Sequence, residues 1–411
     1  MAKIRPFNAV RPNNGLESKV AALPYDVYNR KEAKEACKDN PLSFLNIDRP
    51  ETQFEDDFDM YSKEAYQKAS DMFNDMINNG KYIVEEKPCY YIYELTMNGR
   101  SQTGIVATAS IDDYLNSVIK KHENTRADKE LDRINHVDAL SAQTGPIFLA
   151  YRKNDTLKAV IDKVKMSDAA YDFTSEDGIR HRGFIVNDDA DIETIGKCFD
   201  GINEIYIADG HHRCASAVKV GLKRREENPN YTGNEEFNYF LSVLFMDEEL
   251  FIMDYNRVVK DLNGFTLDEV LTKISEIGSI SEINGDDKYP KKKGEVSIFA
   301  EGKWYSLKFN ADVIPNDPVE GLDVSVLQNN VLKPIFGIED PKTDNRIDFV
   351  GGIRGLNELE KRVSEDCKIA FAMFPTSIQE LFDVADAGLL MPPKSTWFEP
   401  KLRSGLYMHK F

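Results

Sequence analysis

The clearest periodicity in the chain is a pair of apolar runs, residues 90–95 and 104–109, on either side of Asn98-Gly99. That dipeptide is the favoured pair for a type I′ turn because both residues tolerate positive φ, so the segment predicts a tight hairpin. Helical spacing links Tyr61, Ala65, Met72, Met76 and Ile77, and Gly80 is the natural stop of a helix over 61–79. Further helices are expected at 31–38, 128–142, 157–165 and 191–199, and strands at 4–10, 147–151, 204–208 and 239–246. Residues 20–28 read as a buried loop or edge strand because Pro24 interrupts their apolar run, and acidic residues 50–59 carry no period and read as loop. Past about residue 250 the texture changes. A helix at 266–276 precedes a hairpin joining 296–300 to 303–309 through Glu301-Gly302; helices at 322–333, 355–364 and 377–387 surround a strand at 368–374. Alternating helix, loop and strand predicts α/β to α+β packing. Two regions are expected, 1–255 and a C-terminal α+β region 256–411 whose tail closes over the site of the first.

Composition narrows the class. The chain has 411 residues, 41% of them apolar, enough for cores in two or three domains. Fifty-two basic against 70 acidic side chains leave a net charge of −18, which repels phosphate backbones and makes a nucleic-acid partner unexpected. No run of 18 apolar residues predicts a membrane span, and residues 1–7 have no apolar stretch of signal-peptide length. Five scattered cysteines without a Cys-x-x-Cys pair suit reduced thiols, so a cytoplasmic protein is expected.

The sharpest chemical feature is Ile207-Ala208-Asp209-Gly210-His211-His212-Arg213, where a strand enters a glycine turn that opens a helix. Free N–H groups at a helix start attract anions, Gly210 permits close backbone approach, and the Arg213 fork matches two phosphate oxygens, so the turn is expected to cradle phosphate. A plainer reading has Asp209 as a helix cap. Side chains of His211 and His212 diverge by about 100° on one turn, which disfavours a shared metal ion.

A second segment, Lys121-His122-Glu123-Asn124-Thr125-Arg126, stands before the 128–142 helix, which Asn124, Thr125 or Asp128 is placed to cap. It reads either as a solvated helix entrance or as a site in which Glu123 takes a proton from a hydroxyl or helps hold Mg²⁺. His136 reads as a packed or surface histidine. Near the C-terminus, residues 390–406 combine three prolines, a tryptophan and Lys394, which either reaches an anion or belongs to a packed arm. Gly351-Gly352-Ile353-Arg354-Gly355 offers a weaker anion nest.

Taken in order, Arg5-Pro6-Phe7, His122-Glu123-Asn124-Thr125, Asp209-Gly210-His211-His212-Arg213, Tyr255-Asn256-Arg257-Val258-Val259 and Pro392-Pro393-Lys394-Ser395-Thr396 resemble domain-of-unknown-function family 1015, often labelled SpoOJ/ParA/ParB/RepB. More remotely the loop is similar to that of the ParB/sulfiredoxin superfamily, which includes free-serine kinases. The resemblance implies a ParB/sulfiredoxin-like core with a strand–turn–helix phosphate loop. His211 stands where sulfiredoxin has its cysteine, so sulfinic-acid repair is not implied.

The implied activity is a nucleotide-dependent kinase acting on a small hydroxyl compound such as free serine, with ATP, ADP or CTP as the nucleotide and Mg²⁺ alongside. Gly210, His211, His212 and Arg213 would hold phosphates; Glu123, Asp209 and His212 would be catalytic, with Asp209 and Glu123 on the metal. His122, Asn124, Thr125, Arg126 and Lys394 would meet the acceptor. A ParB-like nucleotide-binding regulator and a phosphate-ester hydrolase use the same loop and are the alternatives.

Overall fold

Positive φ at Asn98 (51°) and Gly99 (79°) closes the predicted hairpin between Tyr90–Met97 and Arg100–Ser110. In the computed structural model, which describes residues 1–411 except for the side chain of Asp128, this hairpin lies inside a nine-stranded mixed sheet. Along the sheet the order is Ile119–Lys120, Ile205–Asp209, Ile147–Tyr151, Tyr239–Met246, Arg100–Ser110, Tyr90–Met97, Arg180–Val186 and Tyr171–Thr174, and Ile4–Arg5 pairs with Arg100–Ser110. Ile119–Lys120 and Ile205–Asp209 are parallel neighbours, with Ile119 opposite Ile205. Their C-terminal ends therefore leave the sheet side by side, the position at which open α/β sheets bind ligands.

One core face gathers Ile92, Ile105, Leu149, Ile207, Phe240 and Leu244, with Leu157 and Ile161 from helix Asp155–Val164 and Ile195 and Phe199 from helix Asp189–Asp200. A second cluster joins Phe44, Phe73, Tyr82 and Leu140 to Met408 from the far end of the chain.

The chain divides into two units, Met1–Leu250 with Pro400–Phe411, and Phe251–Glu399. The expected division at 255/256 thus gives way to one at 250/251, and the last dozen residues belong to the first unit. Apolar burial explains their return: Leu406, Tyr407 and Met408 are buried, the Tyr171 hydroxyl donates to the Tyr407 hydroxyl at 3.0 Å, and Met408 exchanges backbone hydrogen bonds with Val10. The second unit holds an antiparallel six-stranded sheet in the order Gly278–Glu282, Lys303–Phe309, Glu295–Ala300, Ile369–Met373, Tyr255–Val259, Ile347–Gly351.

Several local expectations shift. The opening strand divides into Ile4–Arg5 and Val10–Pro12, and residues around Pro24 form helix Glu17–Val20 and a 3₁₀ turn Tyr25–Val27. Helix Ala127–Leu140 starts from Arg126 without a side-chain cap; Asn124 and Thr125 do not serve, and the Asp128 side chain lies outside the described residues. The helix expected at 322–333 is α-helical over Asp323–Leu327 and widens to a π turn over Gln328–Leu332. Among the described residues no helix is long and apolar enough to cross a membrane.

Tyr407 packs against Tyr91, Tyr93 and Tyr171. Tyr407→Ala should lower the stability of the first unit by about 3–5 kcal/mol, as for other large-to-small core changes. Tyr407→Phe, which loses only the hydroxyl pair, should cost about 1 kcal/mol. Urea denaturation of both variants tests the ordering.

Candidate functional site

The strand Ile205–Asp209 is buried through Ala208, and the chain then turns at Gly210, whose φ of +92° lies in the left-handed region that side-chain-bearing residues avoid. A Cβ there would also stand 3.0 Å from the Arg213 guanidinium. The turn releases a 17-residue helix, His211–Glu227, with no side-chain cap and no acidic residue in its first turn. The partial positive charge of this N-terminus is thus left without an acidic cap.

The loop of residues 121–126 leaves the neighbouring parallel strand and meets this turn. His211 Nδ1 is 3.8 Å from Glu123 Oε2, and the His122 and His211 rings meet edge to face with centroids 4.5 Å apart. The Arg126 backbone N–H donates to His212 Nε2 at 2.9 Å. Thr125 Oγ1 donates to Glu130 Oε2 at 2.6 Å, and Lys219 from the third turn of the long helix also pairs with Glu130. Two segments more than eighty residues apart in sequence are therefore brought into contact. Glu123 is partly exposed, and Asn124 and Arg126 are exposed on the same loop.

The histidines tie the site together. Burial pushes His122 down to about 4 against the opposing pull of Asp209, and burial with the neighbouring His122 holds His211 well below its ordinary value. Both rings are neutral at pH 7. His212 Nε2 accepts a main-chain N–H and so carries no proton itself. His211 and His212 were expected to hold phosphate; here the ring of His211 faces His122 and Glu123, the ring of His212 takes the Arg126 N–H, and the His211 backbone N–H sits in the first helical turn.

Asp209 differs from expectation as well. Its Oδ1 accepts the Gly210 N–H at 2.8 Å and its Oδ2 faces Lys401 Nζ at 3.1 Å. Burial favours the neutral carboxyl, but Lys401 and Arg213 outweigh it and hold Asp209 well below the usual carboxylate range. A group so stabilised as an anion is a poor proton acceptor, and a cation at Oδ2 would have to displace Lys401, so Asp209 does not fit the expected metal and catalytic roles. Among the described residues no group of three His, Cys, Asp or Glu side chains could hold a metal ion. Lys401 was missed as a site residue, although it lies in the C-terminal segment that stood out in the sequence.

Arg213 points inward. Its Nη1 donates to the Pro146 carbonyl at 2.6 Å, and it lines a narrow cavity of about 30 Å³ with Tyr25, Asp48, Arg133, Thr144 and Ser404. Thr144 Oγ1 donates to Asp48 at 2.9 Å, and the Arg133 guanidinium stacks 4.0 Å from the Tyr25 ring centroid. Sequence gave no sign of this polar cluster, whose members come from separate segments. His136 is buried with Nε2 2.9 Å from the Ile47 carbonyl, as a packed histidine.

Lys394 belongs to the second unit, where its Nζ stands 5.5 Å from the Tyr255 ring centroid. Of the glycines at 351–355, a Cβ on Gly352 would fall 2.3 Å from Asp254 Oδ1 and one on Gly351 2.8 Å from the Trp397 indole, while Gly355, with φ of +68°, opens helix Gly355–Glu365. Gly351 and Gly352 admit close packing.

The family model described as "Protein of unknown function (DUF1015)" matches residues 4–325. No curated protein matches the sequence. Solved structures similar to the chain include a free serine kinase in complex with AMP, at 13% identity and a TM-score of 0.35, covering 74% of this chain and 91% of that one. SbnI with C-terminal truncation from Staphylococcus aureus is similar at 10% identity and a TM-score of 0.38, over 74% and 86% of the two chains. A conserved hypothetical protein from Pyrococcus furiosus is similar at 16% identity and a TM-score of 0.35, over 74% and 94%. Likenesses at this level are remote.

His122 is neutral when folded and has an ordinary pKa of 6.5 when unfolded, so unfolding takes up a proton between pH 6.5 and about 4. Its contribution to stability is complete above that window and is lost as pH falls through it. Urea unfolding between pH 7 and 5 should therefore show a loss of up to about 1.4 kcal/mol per pH unit from this residue, absent in His122→Asn. Equal slopes in the two proteins would contradict the assignment.

Proposed function

We propose that this chain, which belongs to the DUF1015 family of proteins of unknown function, holds the phosphates of a nucleotide at residues 210–213 and transfers a phosphoryl group to the hydroxyl of a small acceptor. The observation that carries this reading is the placement of Glu123 3.8 Å from His211, at the mouth of a helix N-terminus without an acidic cap. A carboxylate beside an anion cradle weakens anion binding, which is a cost with no return in a site that only binds. The same placement suits a site in which an acceptor hydroxyl loses its proton next to a bound phosphate.

In this reading the backbone N–H groups of the first helical turn face the phosphate charge, as donors that need no rearrangement when charge shifts in the transition state. The acceptor oxygen forms a bond to the terminal phosphorus, the bond from that phosphorus to the bridging oxygen breaks, and the hydroxyl proton passes to Glu123. The nucleotide departs one phosphate shorter. Asp209 fixes Lys401 and the Gly210 N–H, and His211 and His212 hold the Glu123 loop against the turn. Asn124 and Arg126, exposed on the same loop, are placed to contact the acceptor, and half-buried Thr125 holds Glu130 beneath them. ATP, ADP and CTP are the donors to test, with serine first among acceptors. No step is assigned to Mg²⁺, because Asp209 is committed to Lys401.

A melting-temperature panel with each nucleotide tests the binding half. A ligand at 100 times its dissociation constant stabilises the fold by about 2.7 kcal/mol, and Arg213→Ala should reduce that shift. Glu123→Gln tests the chemical half: nucleotide binding should persist while turnover falls roughly 10²–10⁴-fold. Unchanged turnover in Glu123→Gln would remove the proposed base. A response to CTP alone without turnover would favour a nucleotide-binding regulator.

A further inference from the structure

Four arginines are buried in the described residues: Arg49, Arg133, Arg257 and Arg403. Three have a carboxylate partner, Arg49 with Glu51, Arg133 with Asp132 and Arg403 with Asp177. Arg257, in the second unit and only 3% exposed, has none among the described residues. It lies on strand Tyr255–Val259, between Ile347–Gly351 and Ile369–Met373. Its Nη1 donates to the Tyr255 carbonyl, its Nη2 donates to the Lys394 carbonyl at 3.1 Å, and the Phe349 ring centroid is 5.4 Å away. Asp254 Oδ2 accepts from Asn256 Nδ2, and among the described residues Asp254 forms no ion pair with Arg257. Burial alone lowers Arg257 to about 10, with only Tyr255 opposing.

A buried charge whose partners are carbonyl groups retains its full need for a counter-ion, and desolvation without one is costly. Two of the five guanidinium N–H groups serve the carbonyls, which leaves donors for another oxygen pair. A second cation stands on the same aromatic side chain: Lys394 Nζ is 5.5 Å from the Tyr255 ring centroid, on the loop whose carbonyl holds Arg257. The two segments that meet here, residues 255–259 and 392–396, are ones the Glu123–His211 site leaves unused.

We propose that Arg257 and Lys394 form an oxyanion-binding site in the second unit, taking the phosphate or carboxylate group of a small molecule. The guanidinium fork supplies paired donors to two coplanar oxygens, and the ammonium supplies charge that can move with the ligand. The assignment stands whether or not residues 210–213 bind a nucleotide.

The test is a melting-temperature titration of the full chain with inorganic phosphate and, separately, with acetate, against chloride at equal ionic strength. One of the two oxyanions should raise the melting temperature saturably in the wild type, and a saturable rise should remain in Arg213→Ala, where any phosphate response of residues 210–213 is weakened. The rise that remains in Arg213→Ala should vanish when Arg257→Met is added, and Arg257→Met alone, without added anion, should match or exceed the melting temperature of the wild type because a buried charge is gone. Lys394 is exposed, so Lys394→Gln keeps the fold, and it should need about tenfold more anion for half the effect. Whichever anion acts identifies the ligand group. A rise that persists unchanged in Lys394→Gln and Arg257→Met, or no rise with either anion, overturns the site. So does an Arg257→Met variant that melts lower without anion yet keeps the anion response, the behaviour of a guanidinium that only braces the loop.

Discussion

Everything at the candidate site hangs on a two-residue strand. Ile119–Lys120 pairs in parallel with Ile205–Asp209, and that register alone brings the loop of Glu123 beside the turn of Gly210. Two backbone rungs would be a weak hold by themselves. The pairing is reinforced from both sides, by Lys120 against Glu204 at 2.8 Å and by the main-chain bond from Arg126 to His212. Parallel strands need a long crossover, and here that crossover contains three of the nine strands of the sheet, Ile147–Tyr151, Tyr171–Thr174 and Arg180–Val186, so the site forms only after these have been threaded into place.

Neutral histidines are what such a junction requires. A charged imidazole in a dry seam would need its own counter-ion, whereas a neutral ring donates on one nitrogen, accepts on the other and packs on its face. His122, His211 and His212 use these properties to join two loops without adding a charge to the seam. The charge balance then rests with Asp209 and Lys401, which are paired, and with Glu123, which stays partly exposed.

Local patterns were legible wherever one face of an element was apolar or a turn demanded a particular residue. The Asn98-Gly99 hairpin, the helix Lys63–Asn78 stopped at Gly80, and the strand–turn–helix at Gly210 all belong to this class. Strands Tyr171–Thr174 and Arg180–Val186 escaped notice because Asp172, Arg180 and Arg182 make them look like surface loop; in the sheet these charges pair across the strands. The same blindness hid Arg257, since nothing in a sequence distinguishes a buried arginine from a solvated one. Lys401 and the polar cluster around Asp48 and Arg133 are products of long-range packing, for which a linear pattern carries no signal. The candidate residues at 122–126 and 209–213 were found from their chemistry, but the roles of Asp209, His211 and His212 changed once their partners were visible.

The division of the chain has a consequence for the order in which the protein is made. Because Phe251–Glu399 interrupts the first unit, the ribosome releases the first 250 residues, then the whole second unit, and only afterwards the segment that supplies Tyr407, Met408 and Lys401. Until that segment emerges, the nascent first unit lacks the aromatic plug of its sheet and the cation that neutralises Asp209. Completion of the site is thereby coupled to the end of synthesis of this stretch, and a chain cut short within the second unit would carry the phosphate turn yet leave it unfinished.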